Sequence, residues 1–127
     1  MDLVPTGDVD PAAQALAERI GGRPSIRIRG YGDREFDAVS DRFVAQTTSS
    51  TNAARNPHNF LNRARREQIR ETLRAARETG REALFEFTTG SPAREVIDFI
   101  ARNAERVGAR FITIGPSEEP EDAARDH

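Results

Sequence analysis

EFDAVSDRFVAQTT, residues 35–48, decides the reading of this chain. Two runs rich in Phe, Val and Ala flank the turn residues Ser40-Asp41, the pattern of a tight β-hairpin. Side chains alternate along a strand, so Glu35, Asp37 and Val39 share one face, and so do Val44, Gln46 and Thr48. Pairing as a hairpin brings Asp37 near Gln46 at the end away from the turn. A carboxylate beside an amide oxygen at a sheet edge can begin a Mg²⁺ site, because that ion takes oxygen ligands. Glu35 and Glu18 are the candidates for a further carboxylate. The same pattern also describes the solvated outer face of an amphipathic hairpin.

Outward from the hairpin, three helices announce themselves by an N-cap residue before a proline: Asp10-Pro11, Asn56-Pro57 and Ser91-Pro92. Gly21, Gly80 and Gly108 supply the left-handed residues that end them. The expected helices span roughly 11–20, 58–79 and 92–107. The third has the clearest apolar face, with Val96, Ile97, Ile100, Ala104 and Val107. SIRIR (25–29), ALFEF (83–87) and RFITI (110–114) add strands. The order is α-β-β-β-α-β-α-β, an α/β fold with a mixed central sheet flanked by helices. Residues 10–115 form a single domain, with flexible stretches expected at 1–9 and 116–127.

The chain has 127 residues, enough for one modest core, and 31% of them are charged. It has no cysteine, which excludes disulfide and thiol chemistry. No apolar run approaches membrane-spanning length, and residues 1–10 show no signal-peptide pattern, so a soluble protein is expected. The net charge of −2 is unevenly spread. Residues 55–81 carry eight arginines against three glutamates, while 116–127 carry five acids and one arginine. All 19 basic residues are arginine. The basic segment suits a phosphate backbone. Asn62, Arg63, Arg65, Arg66, Gln68 and Arg70 are its candidate contacts. Spacing from Ile69 and Leu73 aims Asn62 and Arg66 at the edge of the sheet. His58 reads as an exposed residue of a first helical turn, and Tyr31 as a loop residue that packs locally or stacks on a base.

Three segments together resemble the restriction-endonuclease-fold toxin domains of bacterial polymorphic and contact-dependent inhibition toxins, within the PD-(D/E)XK nuclease superfamily. They are GDREFDAVSDRFVAQ, LNRARREQIRETLRAARETGR and EVIDFIARNAERVGARFITI. The resemblance covers roughly residues 12–114. It implies a restriction-endonuclease-like fold and a Mg²⁺- or Mn²⁺-dependent nuclease attacking DNA or RNA. It also implies a larger carrier that delivers the domain into a target cell's cytoplasm, and a cognate immunity protein in the producer. Asp37 falls on the family's metal-binding aspartate and Gln46 on the middle position of its second motif. Thr48 falls on its lysine, which is the departure. Arg66 and Gln68 match a basic R-x-Q element on the central helix, which makes Arg66 the candidate to replace the missing cation. The alternative is a catalytically degenerate member that binds nucleic acid or a protein without cleaving. Oligomeric state and the choice between DNA and RNA stay open.

Overall fold

A computed structural model describes residues 3–7, 9–30 and 34–116. The elements in order are β1 (Leu3–Pro5), α1 (Pro11–Ile20), β2 (Arg23–Ile28), β3 (Glu35–Val39), β4 (Phe43–Thr48), α2 (Asn52–Arg55), α3 (Pro57–Phe60), α4 (Arg63–Glu78), β5 (Glu82–Phe87), α5 (Arg94–Val107) and β6 (Phe111–Ile114). The six strands lie side by side in chain order. β1 to β4 form an antiparallel meander, and β5 and β6 join parallel to β4. Parallel neighbours need a crossover, and α4 and α5 supply the two.

The alternation of side chains divides the core in two. Leu16 and Ala17 of α1 pack on Ala38, Phe43, Ala45 and Leu84. Ile69, Leu73 and Ala76 of α4, with Val96 and Ile100 of α5, pack on Val44, Ala83, Phe85 and Phe87 on the other side. Central strands buried on both faces read as apolar runs, and in β4 and β5 the exceptions are Gln46, Thr47, Thr48, Glu82 and Glu86. Those few matter below.

The join from α1 to β2 is tight. Gly21 takes the left-handed conformation at φ +68°, and the Gly22 amide donates to the Ala17 carbonyl at 2.8 Å, a Schellman ending. A Cβ on Gly22 would lie 2.5 Å from the Val39 carbonyl oxygen, so the backbone of β3 requires glycine there.

Three expectations change. Leu3–Pro5, within the stretch expected to be flexible, pairs with β2 as an edge strand. The helix expected over 58–79 is broken: α3 stops at Phe60, and α4 starts afresh with Asn62 as its N-cap, the Asn62 side chain accepting from the Arg65 amide at 2.9 Å. A capping Asn outcompetes continuation where no apolar stripe holds the first turns to the sheet. α5 begins at Arg94, two residues beyond Pro92, and the Ala93 amide donates instead to Ala53 of α2 at 2.7 Å. Tyr31 and the tail from Ser117 lie outside the described residues.

Candidate active site

The sheet opens around one residue. In β3–β4 the pairs Val39↔Val44 and Ala38↔Ala45 form, and the ladder stops there. One further step of that register places Asp37 opposite Gln46. Instead of ladder bonding, the Thr47 amide donates to Asp37 Oδ2 at 2.8 Å. On the β2 side, Pro24↔Ala38 and Ile26↔Phe36 flank a skipped pair that the same count assigns to Ser25 and Asp37. Ser25 is buried and has φ +51°, a left-handed conformation uncommon for a residue with a side chain. Backbone irregularity on both sides therefore leaves half-buried Asp37 outside the regular ladder in the middle of an otherwise paired strand.

The Asp37 carboxyl is raised above its ordinary value. Burial is the main cause; the charges of Asp10 and Glu35 add to it, while the Thr47 amide and the Arg65 guanidinium oppose it. Burial in turn lowers Arg65, and Asp37 pulls it back up. Asp37 and Arg65 are thus electrostatic partners across the space between β3 and α4.

Arg65 is held in place. Its guanidinium stacks over the Phe60 ring, 4.7 Å from the centroid, and Nη1 donates to Gln68 Oε1 at 2.8 Å. Arg65 and Gln68 line a small pocket with Gln46, Thr48, Phe60 and Ile69. The same two residues, with Arg34, Asn62 and Ala64, line an adjoining open cavity of about 290 Å³.

Gln46 lies in the floor of the site. It is 5% exposed. Its Nε2 donates to Thr72 Oγ1 at 3.2 Å, and its Oε1 is buried without a hydrogen-bond partner. A buried amide oxygen left unpaired costs free energy and requires an explanation. One register step from the half-buried Asp37 carboxylate, a cation is a chemically suitable one, so the orphaned oxygen fits a divalent metal. Among the described residues no three acidic, histidine or cysteine side chains converge, so the protein's contribution is a sparse one.

The remaining expected site residues fall as follows. Glu35 is exposed and acts on Asp37 through its charge. Glu18 is not gathered with them: it sits exposed on α1, accepting from Gln14 at 3.0 Å, on a helix that packs against the opposite face from Gln46. The acid of that region that acts on Asp37 is Asp10, whose side chain does not cap α1. Arg66 is exposed and is not the arginine beside Asp37. The buried stripe of α4 includes Thr72 and Ala75 as well as Ile69, Leu73 and Ala76. At about 100° per residue, these centre the stripe on Arg65 and leave Arg66 about a quarter-turn away. Thr48 accepts from the Ser50 amide at 3.3 Å. Arg63 pairs with Glu67, and Arg70 donates to Asn103 at 3.2 Å while stacking on Phe99.

Sequence reasoning missed Ser25, Thr72 and a buried charge cluster on the reverse face. There Glu86 is 1% exposed, accepts from the Thr47 hydroxyl at 2.6 Å and pairs with Arg19. An acid between Phe85 and Phe87 in a strand buried on both faces was its available signal.

The model of a family described as restriction endonuclease fold toxin 3 matches residues 2–108. The chain belongs to this restriction endonuclease fold toxin family. The mixed sheet between helices is the fold that membership implies, and the toxin role comes with the family. Neither the curated proteins nor the solved structures yield a match. No helix among the described residues is long and apolar enough to cross a membrane.

Proposed function

We propose that this toxin domain is a nuclease that hydrolyses phosphodiester bonds with a divalent cation, Mg²⁺ or Mn²⁺, held by Asp37 and Gln46. The observation that carries the reading is the buried, unpartnered Oε1 of Gln46; the register of the neighbouring pairs, carried one step further, puts the half-buried Asp37 across from it. A divalent cation bound there supplies Lewis-acid polarisation of a phosphoryl oxygen and lowers the pKa of water. Asp37 contributes the negative charge that holds it, and Thr47 orients that carboxylate through its amide. Glu35 adds a second acid at the exposed margin. Arg65 presents a fixed positive charge on the same side and takes the role of the lysine that Thr48 replaces. It is charged at neutral pH, and its planar fork suits phosphate oxygens, so it stabilises developing negative charge rather than abstracting protons.

Nucleic acid enters, in this reading, over the cavity lined by Arg34, Asn62, Arg65 and Gln68. A cognate immunity protein in the producer and a larger carrier delivering the domain to the cytoplasm of a competitor, as in contact-dependent inhibition, complete the proposal. Incubating the protein with plasmid DNA and with total RNA, each with Mg²⁺, Mn²⁺ or chelator, tests it. Cleavage that needs metal and disappears in Asp37→Asn is expected, and the degraded polymer identifies the substrate. Metal-independent cleavage rules the reading out.

Thr48 favours a second reading, a catalytically silent nuclease fold that binds nucleic acid or protein. Its hydroxyl is neutral and already accepts from Ser50. If the parent cleaves neither polymer and Thr48→Lys cleaves strongly, this second reading replaces the first.

A further inference from the structure

Thr72 lies in the middle of α4, fully buried at 0% exposure. Its hydroxyl donates to the Gln68 carbonyl one turn earlier at 2.8 Å and accepts from Gln46 Nε2 at 3.2 Å. A hydroxyl has one proton to give. Once Gln68 takes it, the oxygen offers only lone pairs toward Gln46. Only the nitrogen end of the Gln46 amide can face lone pairs, so Oε1 is turned the other way, where it is buried and unpartnered. A flipped amide would set acceptor against acceptor at Thr72, or force its hydroxyl to abandon Gln68.

We propose that Thr72 is a positioning residue that locks the Gln46 amide with its oxygen presented to the divalent cation. A carboxylate at position 46 would not need such a lock, because its two oxygens are equivalent. A glutamine has a single liganding oxygen, and an outer partner must decide which way it points. Thr72 performs that role from a helix across the core. The inference rests on the reading of Asp37 and Gln46 as metal ligands, and it assigns how the weaker of the two is made competent.

Mn²⁺ titration of the full chain, followed by calorimetry without substrate, tests it. Thr72→Val keeps the shape and removes the hydroxyl. It is expected to weaken Mn²⁺ binding by about 10–100-fold, the usual effect of losing an outer-shell partner. Thr72→Ser is expected to restore most of the affinity. In a Gln46→Glu background the Thr72→Val effect is expected to shrink to about twofold or less, because the symmetric carboxylate needs no orientation; a loss caused only by loosened packing would persist there. Unchanged affinity in Thr72→Val, with affinity lost in Gln46→Ala, overturns the lock and leaves the metal site standing. No Mn²⁺ binding by the parent, or binding indifferent to both Asp37→Asn and Gln46→Ala, overturns the metal site and the lock together. Should Thr72→Val fail to fold, hydrogen exchange of the Gln46 side-chain amide in the unmutated protein decides: protection at Nε2 supports the lock, and exchange at the rate of a free amide overturns it.

Discussion

Asp37 carries a conflict between stability and chemistry. Its carboxyl is raised from an ordinary 3.8, chiefly by burial. Above pH 3.8 the unfolded chain releases this proton before the native state does. The Asp37 contribution to stability is therefore greatest below that pH and erodes as pH rises through the raised native value. Above the raised native value the protein bears the cost of a partly desolvated charge. Asp37→Asn removes the cost and still accepts from the Thr47 amide. It is expected to raise the melting temperature at pH 7 without metal by about 2–5 °C, with the gain vanishing below pH 4, while abolishing cleavage. Thermal melts of the two proteins across pH check this; a variant less stable than the parent at neutral pH contradicts the assignment. The arginines give a second comparison at this scale. Arg65 is stacked, hydrogen-bonded and coupled to Asp37, whereas Arg66 is exposed. Arg65→Ala is expected to lower kcat about 100-fold and Arg66→Ala less than threefold, measured on a short oligonucleotide.

The elements explain why those residues can be so finely placed. β3 is anchored at its Val39 end by the close approach of Gly22, and the irregular stretch at Asp37 lies two residues away. Gly22→Ala forces the join apart by driving a Cβ into the Val39 carbonyl. It is expected to cost about 2–4 kcal/mol, measured by urea unfolding, whereas alanine at an unobstructed surface site costs under 1 kcal/mol. The hairpin, α1, β5 and β6 were legible in the sequence, and so was α5 apart from its start, because alternation, apolar faces and glycine ends agreed with one another. β1 was not, since Leu3-Val4-Pro5 is too short to show a period. The start of α4 was misread because Asn56-Pro57 is a sound helix start that serves only the one-turn α3. Spacing led to the expectation that Asp37 faces Gln46, and the observed pairs Val39↔Val44 and Ala38↔Ala45 stop one step short of it. Arg65 could not be separated from Arg66 until Thr72 and Ala75, polar and small, proved to belong to the buried stripe. The left-handed Ser25 and the direction of the Thr72 proton leave no periodic trace in a sequence.

At the scale of the whole molecule, a net charge of −2 gives no general attraction to a polyanion, so binding must be local. Under the proposed function, the arginines differ in how far they are already engaged. On α4, Arg63 and Arg74 are paired with glutamates, and Arg70 is engaged with Asn103 and Phe99. Arg34 and Arg65 line the open cavity, and Arg65, though stacked on Phe60 and bonded to Gln68, also lines the adjoining pocket with Gln46. The polyanion is therefore expected to contact the end of the sheet where β4 runs out and α4 begins, with few phosphates rather than a long track. Binding of an oligonucleotide to the Asp37→Asn protein should weaken with salt along a shallow line, with a slope of about −2 to −4 in log affinity against log salt concentration. Arg34→Ala should reduce that slope by about one, as expected for loss of one phosphate contact, while Arg74→Ala leaves it unchanged. Fluorescence anisotropy over a salt series measures both. A steep slope that Arg74→Ala flattens and Arg34→Ala does not would move the nucleic acid off this end of the sheet and onto the outer face of α4.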